Sequence, residues 1–531
     1  MANASRAKKE IKPSAVVTAI DTAMNWSAMH ALVIGLGESG LAAAKWLNRR
    51  GARVTVVDTR REPPMMAVFE KQFANHQHVR LMAGVEAPLP MNLLDEVTMI
   101  VPGPGLSPRS AHQGVLPGFL KAAAQRGIPV FGELDLFEWA IHHGGHAPSG
   151  NEEGSDRELP LEAPKVLAIT GTNGKTTTTQ MTTALLRRAG VDAQEAGNIS
   201  PSLLDAVMAR EDQGRFPQAW VLELSSFQLA IAQHFHPTAA ALLNISPDHL
   251  DWHDDMDDYL ESKCRVFGFG AAAPIYGVRC ITDRSEQAIM EALQSAPHLQ
   301  SQVVTFGRDV PQDCGDFGLI EEGISWMCLR DAHDQDRLHR LMPADALRMR
   351  GRHNAMNGLA ALALCQAVTP ALAPLLHGLR LFEGGAHRMQ WVGQAQEIQF
   401  INDSKGTNVG ATAAALSGCG MRVVLIAGGD GKGQDFTALR DPIAAHACAV
   451  VTIGRDGPRI AEVATAAGVP VESAQTMEEA VKRAFALASA GQAVLLSPAC
   501  ASFDMFKNYA DRADAFIRAA KLIAEEQGVT C

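Results

Sequence analysis

The fold of this chain is decided by the stretch Leu167–Thr177, which reads LAITGTNGKTT. The apolar run Val166–Ile169 predicts a short buried strand, and residues Thr176–Arg188 predict a helix. Glycines in the turn between them let the backbone approach a polyphosphate, while the helix N-terminus and the Lys175 ammonium supply positive charge. The hydroxyl of Thr176 can ligate a magnesium ion held by that phosphate. The stretch therefore predicts an ATP-binding loop in an α/β domain.

The loop departs from the strict P-loop pattern in one place. That pattern places a glycine five residues before Gly174, where this chain has Ile169, and the earlier glycine here is Gly171. A glycine-rich connection that binds no ligand is the alternative at this point.

Length and composition indicate a multidomain globular enzyme. The chain has 531 residues, 47% hydrophobic and 20% charged, which suggests roughly three or four domains. Its net charge of −11 argues against a broad nucleic-acid-binding face, and no apolar run reaches membrane-spanning length. Nine cysteines without C-x-x-C spacing argue against a zinc or disulfide framework and suit a reducing cytoplasm. Residues 1–29 are basic without an apolar segment, so we expect a disordered lead-in instead of a signal peptide.

A second glycine-rich turn marks the predicted N-terminal domain, residues 30–132. The strand His30–Gly37 carries a G-x-G-x-x-G pattern, and the strand Arg53–Asp58 ends in an acid suited to a ribose. A third strand, Val97–Val101, leads into a Pro-Gly-Pro-Gly turn at the sheet edge where α/β proteins bind ligands. These residues alone leave NAD and other nucleotides open, and a plain loop remains the alternative for the turn.

The predicted central domain, residues 133–384, carries candidate metal ligands after two further strands. Glu223 ends one strand, and the next is followed by Asp248 and His249. A carboxylate at the end of a parallel strand beside a phosphate loop typically holds magnesium directly or through water. We interpret His249 as a metal or substrate ligand, with an ordinary surface histidine as the alternative.

Two further segments of the central domain have distinct patterns. Residues 142–160 are polar and rich in Gly, Ser and acid, and predict a mobile surface insertion. Residues Asn354–Val368 are apolar nearly all round and predict a buried helix with Asn354 and Asn357 in its first turn.

The predicted C-terminal domain, residues 385–531, repeats the strand–helix pattern around a small doubly wound sheet. Its strands are predicted at Ile398–Ile401, Val423–Ala427, Ala449–Ile453 and Val494–Leu496. The first is followed by the polar cluster NDSKGTN, residues 402–408. This cluster exceeds what a turn needs and predicts the second half of an active site, in a chain whose domains close around two or three substrates.

Motifs in all three domains together resemble the Mur ligase family. In chain order they are ITGTNGKTT, ELSSFQL, NISPDHLD, GRHNAMNGLAALAL, GAHR, NDSKGTN, GGDGKG and LLSPACASFDMFKNYADR. The resemblance spans His30 to Arg518 and implies an α/β fold of three domains: N-terminal Rossmann-like, central P-loop-type mononucleotide-binding and C-terminal Rossmann-like. The chain departs from the family at the 142–160 insertion, at the N-terminal extension, and at Thr282, where the family usually shows the Asn of Asn-x-Asp. The last departure puts a role for position 282 in doubt.

The resemblance implies an ATP-dependent amide ligase, and the C-terminal motifs are most similar to those of members that add D-glutamate to UDP-N-acetylmuramoyl-L-alanine. In the implied mechanism ATP phosphorylates the substrate carboxylate, and the D-glutamate amine attacks the acyl phosphate through a tetrahedral intermediate. Such an enzyme acts in peptidoglycan synthesis, and so in cell-wall biogenesis, cell shape and cell division. We expect a cytoplasmic monomer with small-molecule partners and no nucleic-acid partner.

Matching the motifs position by position implies the site residues. ATP would contact Gly171, Thr172, Asn173, Gly174, Lys175, Thr176, Thr177, Asn354, Asn357, Arg388, Asp403 and Lys405. The UDP-linked substrate would contact Glu38, Ser39, Asp58, Thr59, Arg60, Gly103, Pro104, Gly105 and Asn198. D-glutamate would contact Thr407, Lys432, Ser502 and Phe503. Two magnesium ions would be held by Thr176, Glu223, His249 and a carbamylated Lys263. The implied catalytic residues are Lys175, Glu223, His249, Lys263 and Lys405.

Three alternatives stay open at this level. Another ligase of the family, with a different amino acid, would keep the ATP loop but change the C-terminal pocket. An NAD-dependent oxidoreductase would explain Gly35 to Asp58 but would leave the phosphate loop and the last domain unexplained. A nucleotide-binding module without catalysis would not need all five implied catalytic residues.

Overall fold

The computed structural model describes residues 25–108, 116–143, 163–268, 277–349, 351–385 and 387–527. Within these ranges the chain forms three larger sheets, which are parallel apart from one edge strand, and one small antiparallel sheet. Alternate residues of each central strand enter two different cores: in the sheet of the phosphate loop, Val166 and Ala168 face one core and Leu167 and Ile169 the other. Both faces of the sheet are therefore covered, which explains why its strands appear as continuous apolar runs.

The N-terminal sheet is parallel throughout, with strand order β3-β2-β1-β4. Its elements are β1 (His30–Ile34), α1 (Glu38–Arg49), β2 (Arg53–Asp58), α2 (Met66–Phe73), β3 (Val79–Ala83), β4 (Met99–Pro102), α3 (Pro117–Gln125) and α4 (Glu133–His143). β1 and β2 lie where predicted, and the predicted third strand begins two residues later, at Met99. The sequence reading missed β3 because this edge strand is mostly half-buried and has no continuous apolar run.

The prediction of a disordered lead-in over residues 1–29 extends too far. Residues 1–24 lie outside the described ranges, but Trp26 starts a single 3-10 turn and is buried. Its ring lies 5.2 Å from that of Trp46 and 4.9 Å from that of Trp139, both edge-on. A single tryptophan outside any strand or helix pattern gives no periodicity, so the sequence did not reveal this turn.

The central sheet is parallel throughout, with strand order β10-β9-β8-β5-β7-β6. Its elements are β5 (Lys165–Thr170), α5 (Lys175–Arg188), β6 (Ala193–Gly197), α6 (Leu203–Asp212), β7 (Ala219–Glu223), α7 (Ser226–Ile231), β8 (Ala239–Leu242), α8 (Met256–Cys264), β9 (Arg279–Asp283), α9 (Gln287–Gln294) and β10 (Val303–Phe306). The phosphate loop joins β5 to α5, as predicted. It therefore opens at the carboxyl edge of the sheet, between the strands that carry Glu223 and His249.

The segment after this sheet differs from the prediction. It forms an unpredicted antiparallel sheet, then two helices: β11 (Phe317–Glu322), β12 (Ile324–Arg330), β13 (Leu338–Pro343), α10 (Arg352–Cys365) and α11 (Leu372–Leu381). α10 is buried as predicted but ends at Cys365. The predicted insertion begins too early at residue 142, because His143 ends α4 and stacks on Trp139 at 4.8 Å. Residues 144–160 of that insertion lie outside the described ranges.

The C-terminal sheet has strand order β14-β15-β19-β16-β17-β18, with β14 antiparallel and the rest parallel. Its elements are β14 (Gln390–Ala395), β15 (Ile398–Asn402), α12 (Val409–Gly418), β16 (Val423–Gly428), α13 (Arg440–His446), β17 (Ala447–Ile453), α14 (Gly457–Ala466), β18 (Val471–Ser473), α15 (Met477–Leu487), β19 (Ala493–Leu496) and α16 (Tyr509–Glu526). In the part of the chain that the structure describes, none of the helices combines the length and apolarity that a bilayer crossing requires.

Candidate active site

The loop between β5 and α5 has the backbone shape that a polyphosphate requires. Gly171 and Gly174 have φ angles of +147° and +82°, a region that favours glycine. Gly174 directly precedes the first turn of α5, and a Cβ at this position would lie 2.6 Å from Oδ1 of Asn357. A larger residue would therefore close the space in front of the α5 N-terminus, where backbone amides can bind an anion.

Two lysines converge on one carbonyl oxygen of this loop. Nζ of Lys175 donates to the oxygens of Gly171 and Thr172, both at 2.8 Å, and Nζ of Lys263 donates to the same Gly171 oxygen at 2.9 Å. Lys263 is buried and lies over the ring of Tyr259 at 4.7 Å. Burial, and then the charge of Lys175, hold the pKa of Lys263 well below its ordinary value. The residue pattern alone describes Lys263 as a surface lysine, whereas the structure places it beside the loop.

Glu223 lies at the end of β7, and only one of its two carboxylate oxygens accepts a hydrogen bond from a described residue. Its Oε1 accepts a hydrogen bond from Nδ2 of Asn198 at 3.0 Å, and Oε2 is buried with no hydrogen-bond partner among the described residues. Buried oxygens without a partner are rare in proteins. A divalent cation is one group that can bind such a carboxylate oxygen.

His249 follows β8 on the other side of the loop. Its backbone is left-handed, with φ +54°, and its ring contacts that of Phe227 at 4.7 Å. Burial lowers the pKa of His249, and the nearby charges of Lys432 and Lys175 act in the same direction against that of Asp248. A lowered pKa favours the neutral imidazole, which is the form that ligates a metal.

Among the described residues, no three side chains of His, Cys, Asp or Glu form a preformed metal cluster. The set predicted from the sequence differs in composition, because it includes a hydroxyl, Thr176, and a modified lysine, Lys263. Without the modification Lys263 presents a proton donor to Gly171. The set is therefore complete only if Lys263 carries an anionic group.

Side chains of the C-terminal domain reach across to the phosphate loop. Oγ1 of Thr176 accepts hydrogen bonds from Nη2 of Arg388 at 2.8 Å and from Nζ of Lys405 at 3.2 Å. Nδ2 of Asn408 donates to Oδ1 of Asn173 at 3.1 Å. Burial, followed by the charge of Arg388, lowers the pKa of Lys405 to about 8. Two cations from one domain thus meet the helix N-terminus of another.

A cleft of about 340 Å³ lies beside the loop, between the central and C-terminal domains. It is lined by seven of the residues predicted to bind ATP: Asn173, Gly174, Thr177, Asn354, Asn357, Arg388 and Asp403. Burial raises the pKa of Asp403 to about 6, and its Oδ2 accepts from the Ser497 hydroxyl at 2.7 Å.

The same cleft is lined by residues that the sequence analysis did not single out, among them Asp283, Glu286, Arg308 and His353. Thr282 does not line it: this residue is buried and its hydroxyl donates to the oxygen of Leu242 at 2.8 Å. The departure at position 282 is therefore part of the sheet, and the polar wall of the cleft begins one residue later. The only feature of the sequence that could have indicated this polar wall is the run of polar residues that follows the apolar strand β9.

A second cleft, of about 540 Å³, opens at the carboxyl edge of the N-terminal sheet. It is lined by eight of the predicted UDP-substrate residues: Glu38, Ser39, Asp58, Thr59, Arg60, Gly103, Pro104 and Gly105. Asn198, the ninth, lies instead at Glu223.

The carboxylate of Asp58 in this cleft is already occupied. Its oxygens accept from the backbone amide, Nε and Nη2 of Arg60 at 2.9, 2.9 and 2.7 Å, and from the amide of Leu36 at 2.8 Å. A carboxylate accepts about four hydrogen bonds. The pairing removes the free ribose acceptor that the NAD interpretation requires.

The residues predicted to bind D-glutamate follow three neighbouring strands of the C-terminal sheet. Thr407 follows β15, Lys432 follows β16, and Ser502 and Phe503 follow β19. The last two loops are tied together, because Asp430 and Ala501 exchange backbone hydrogen bonds of 3.0 and 2.9 Å. Ser502 is buried, whereas the Phe503 side chain is 71% exposed.

Three family models match successive parts of the chain. They are described as Mur ligase MurD-like, N-terminal domain (residues 29–132), Mur ligase middle domain (169–365) and Mur ligase, glutamate ligase domain (387–500). The UDP-N-acetylmuramoylalanine–D-glutamate ligase of Cupriavidus pinatubonensis is 45% identical, over 94% of this chain and 98% of its own length. The enzyme of the same name from Ralstonia nicotianae is 46% identical with the same coverage.

Solved structures of related fold are more distant in sequence. UDP-N-acetylmuramate-alanine ligase MurC of Thermotoga maritima superposes with a TM-score of 0.54 at 17% identity, covering 93% of this chain and 99% of its own. The MurF ligase of Thermotoga maritima in complex with ADP superposes with a TM-score of 0.53 at 13% identity, covering 95% and 100%. These matches confirm the predicted fold class, three α/β domains.

Proposed function

The chain belongs to the Mur ligase family, and we propose that it is an ATP-dependent ligase that joins D-glutamate to UDP-N-acetylmuramoyl-L-alanine in peptidoglycan synthesis. The observation that carries this proposal is the meeting of Lys175, Arg388 and Lys405 at the phosphate loop, beside a cleft of about 340 Å³ that the central and C-terminal domains line together. It is supported by relatives of that name that align over nearly the whole chain.

In the first step, a carboxylate oxygen of UDP-N-acetylmuramoyl-L-alanine attacks the γ-phosphorus of ATP, and the bond to the β-phosphate oxygen breaks to release ADP. Lys175 and Lys405 both contact the phosphate loop, and we propose that they offset the negative charge that builds up on the phosphates. The product is an acyl phosphate. Phosphate is a good leaving group, which the free carboxylate lacks.

In the second step, the amine of D-glutamate attacks the acyl carbon and forms a tetrahedral intermediate. The intermediate expels inorganic phosphate, and the nitrogen loses a proton as the amide forms. Thr407, Lys432, Ser502 and Phe503 are proposed to hold the amino acid, with the Lys432 ammonium against a carboxylate. The charge of Lys432 already acts on His249, which supports a pocket facing the phosphate loop.

Magnesium fits the residues present. The unpartnered Oε2 of Glu223, the Thr176 hydroxyl and the neutral His249 ring are oxygen and nitrogen donors around one loop. Bound there, the ion would neutralise phosphate charge.

We propose further that Lys263 is carbamylated. Its lowered pKa favours the free amine, which can attack carbon dioxide; the nitrogen then loses a proton and a carbamate remains. The modification would replace a proton donor with a carboxylate-like metal ligand.

The remaining assignments follow from the arrangement of the clefts. We propose that the chain divides into a UDP-substrate domain (30–132), an ATP domain (133–384) and an amino-acid domain (385–531). The monomer expected from the sequence stays a prediction. The cysteines of the described residues are all free, which supports a reducing cytoplasm, where ATP and UDP-linked precursors are found.

The test is phosphate release with ATP, magnesium and UDP-N-acetylmuramoyl-L-alanine, comparing D-glutamate, L-glutamate, L-lysine and no amino acid. Turnover with D-glutamate alone is expected. Turnover with another amino acid would keep the assignment of the ATP site and overturn that of the C-terminal pocket. No turnover with any of them, in folded protein, would overturn the proposed function.

A further inference from the structure

His253 is a buried histidine with a hydrogen bond on each ring nitrogen. Its side chain is fully buried. Nδ1 lies 2.9 Å from Oδ2 of Asp258 in α8, and Nε2 lies 2.9 Å from Oγ of Ser226, the first residue of α7. A carboxylate only accepts, so Nδ1 is the donor to Asp258. The proposed reaction uses none of these three side chains.

The order Ser226, His253 and Asp258 resembles the catalytic triad of serine hydrolases. Ser226 is 2% exposed and His253 is 1% exposed, so the hydroxyl is closed to a substrate. The chain of hydrogen bonds is therefore internal, and it joins α7 to α8 through one imidazole ring.

The same histidine supports His249, one of the proposed magnesium ligands. The amides of Trp252 and His253 both donate to the oxygen of His249 at 3.0 Å. The left-handed φ of His249, +54°, is a conformation that a residue other than glycine keeps only where its surroundings hold it. Phe227, which follows Ser226, contacts the ring of His249 at 4.7 Å and stacks on Trp252 at 4.5 Å. Both the backbone and the ring of His249 are thus held from this side.

The two ends of the hydrogen-bond chain continue to further proposed ligands. At one end, Ser226 follows Glu223 by three residues. At the other, Tyr259 of α8 has its ring 5.1 Å from that of His253, and Nζ of Lys263 lies over the same tyrosine ring at 4.7 Å. One imidazole therefore contacts the segments that carry three of the four proposed magnesium ligands.

We propose that His253 is a positioning residue for the magnesium site. By joining α7, α8 and the turn after β8, it holds Glu223, His249 and Lys263 in one arrangement. It acts through these side chains and does not itself touch the ion. The inference rests on the proposed function, because that function assigns magnesium to them.

The test follows the ring of His249 at a bound metal instead of turnover. Manganese(II), which accepts the oxygen ligands of magnesium and is paramagnetic, is titrated into the full-length protein at one fixed ATP concentration, with no other substrate. A ring nitrogen bound to the metal modulates the electron spin echo. The wild-type protein should show this nitrogen signal, and His249→Ala should lose it.

His253→Phe keeps an aromatic ring against the neighbouring rings but breaks both hydrogen bonds. The manganese concentration that gives half of the nitrogen signal should rise by about tenfold, because groups behind a ligand typically contribute that much to metal affinity.

His30→Phe is the matched control. His30 is 4% exposed, and its ring nitrogens lie 3.1 Å from the Glu96 oxygen and 2.8 Å from the Thr55 hydroxyl. It starts β1, at the edge of the N-terminal sheet opposite the cleft. Both Phe variants should unfold at lower urea concentration, but His30→Phe should keep the wild-type nitrogen signal, which a merely structural role of His253 would also do.

Ser226→Ala removes one hydroxyl and decides the question if His253→Phe does not fold: the nitrogen signal should again need more manganese. A wild-type signal at wild-type manganese concentrations in the folded variants would overturn the inference and leave the ligase assignment intact. Absence of a nitrogen signal in the wild-type protein would also overturn the inference, and phosphate release in the ligase assay would then decide separately whether the proposed function stands.

Discussion

The central domain meets its two neighbours in different ways. Toward the N-terminal domain it shares one apolar core, in which Trp46 of α1 and Val207 of α6 belong to the same cluster. The two helices are also joined by ion pairs, including Arg50 to Glu211 at 2.6 Å. Toward the C-terminal domain the contact at the phosphate loop is polar: Thr176 accepts from Arg388 and Lys405, and Asn173 accepts from Asn408.

This difference separates stability from chemistry. Apolar burial stabilises a contact whether or not a substrate is present. Buried cations are costly until a negative charge arrives, and burial lowers the pKa of both Arg388 and Lys405. Changes at the first contact, between the central and N-terminal domains, should therefore affect folding stability. Changes at the second contact, between the central and C-terminal domains, should affect turnover.

The largest effect is expected for Lys175→Ala. Loss of the cation nearest the loop should lower kcat by about a thousandfold, because transition-state charge loses a fixed partner. Phosphate release measures it, with urea unfolding as the check that the protein is folded. Lys71→Ala, on the exposed face of α2, is the control. Retention of more than about a tenth of the wild-type kcat would remove Lys175 from the catalytic residues.

Lys263→Ala should lower kcat by about a hundredfold, because a proposed metal ligand is lost. Formate or acetate should restore part of the activity by supplying a carboxylate in the vacated space. The same acids should not rescue Lys175→Ala, which lacks a cation. If a folded Lys263→Ala protein shows no rescue at any acid concentration, carbamylation is the wrong explanation for this buried lysine.

The cations of the second contact should also give a pH dependence. The pKa of Lys405 is lowered to about 8, so its ammonium is lost as pH rises above that value. kcat/KM for ATP should then fall by up to about tenfold per pH unit, because this ratio reports the free enzyme. kcat should fall less, since bound phosphates raise the lysine pKa. In Lys405→Arg the fall should move to higher pH; an unchanged profile would mean that another group titrates.

The smallest effect on activity is expected at the first contact. Arg50→Ala removes a guanidinium 4.0 Å above the ring of Trp46 and leaves Glu211 without its closest partner. The free energy of unfolding should fall by about 2 kcal/mol, while kcat stays within about twofold of wild type. Arg53→Ala, in the exposed pair with Glu96, should change neither. A large loss of kcat in Arg50→Ala would contradict the idea that the contact between the central and N-terminal domains affects stability only.

Local motifs account for what could be predicted. The phosphate loop, β1, β2 and α10 follow from glycines, apolar runs and periodicity within about 15 residues, and their bounds agree to within a few positions. The two clefts were also predictable in outline, because parallel strands bring their carboxyl ends to one edge. β3, β11–β13 and the turn at Trp26 were missed because partly exposed strands and an isolated aromatic residue have weak local patterns.

The sequence by itself determined the three α/β units, the phosphate loop and the residue types available for ATP chemistry, because near neighbours along the chain decide strands, turns and helix ends. Only the tertiary structure decided which groups share one environment. Thr176 and Arg388 are 212 positions apart yet form a hydrogen bond, and Lys263 reaches the loop carbonyl of Gly171 across 92 positions. Burial and charge act through space, so the lowered pKa of Lys263 and the raised pKa of Asp403 depend on packing that no local pattern specifies.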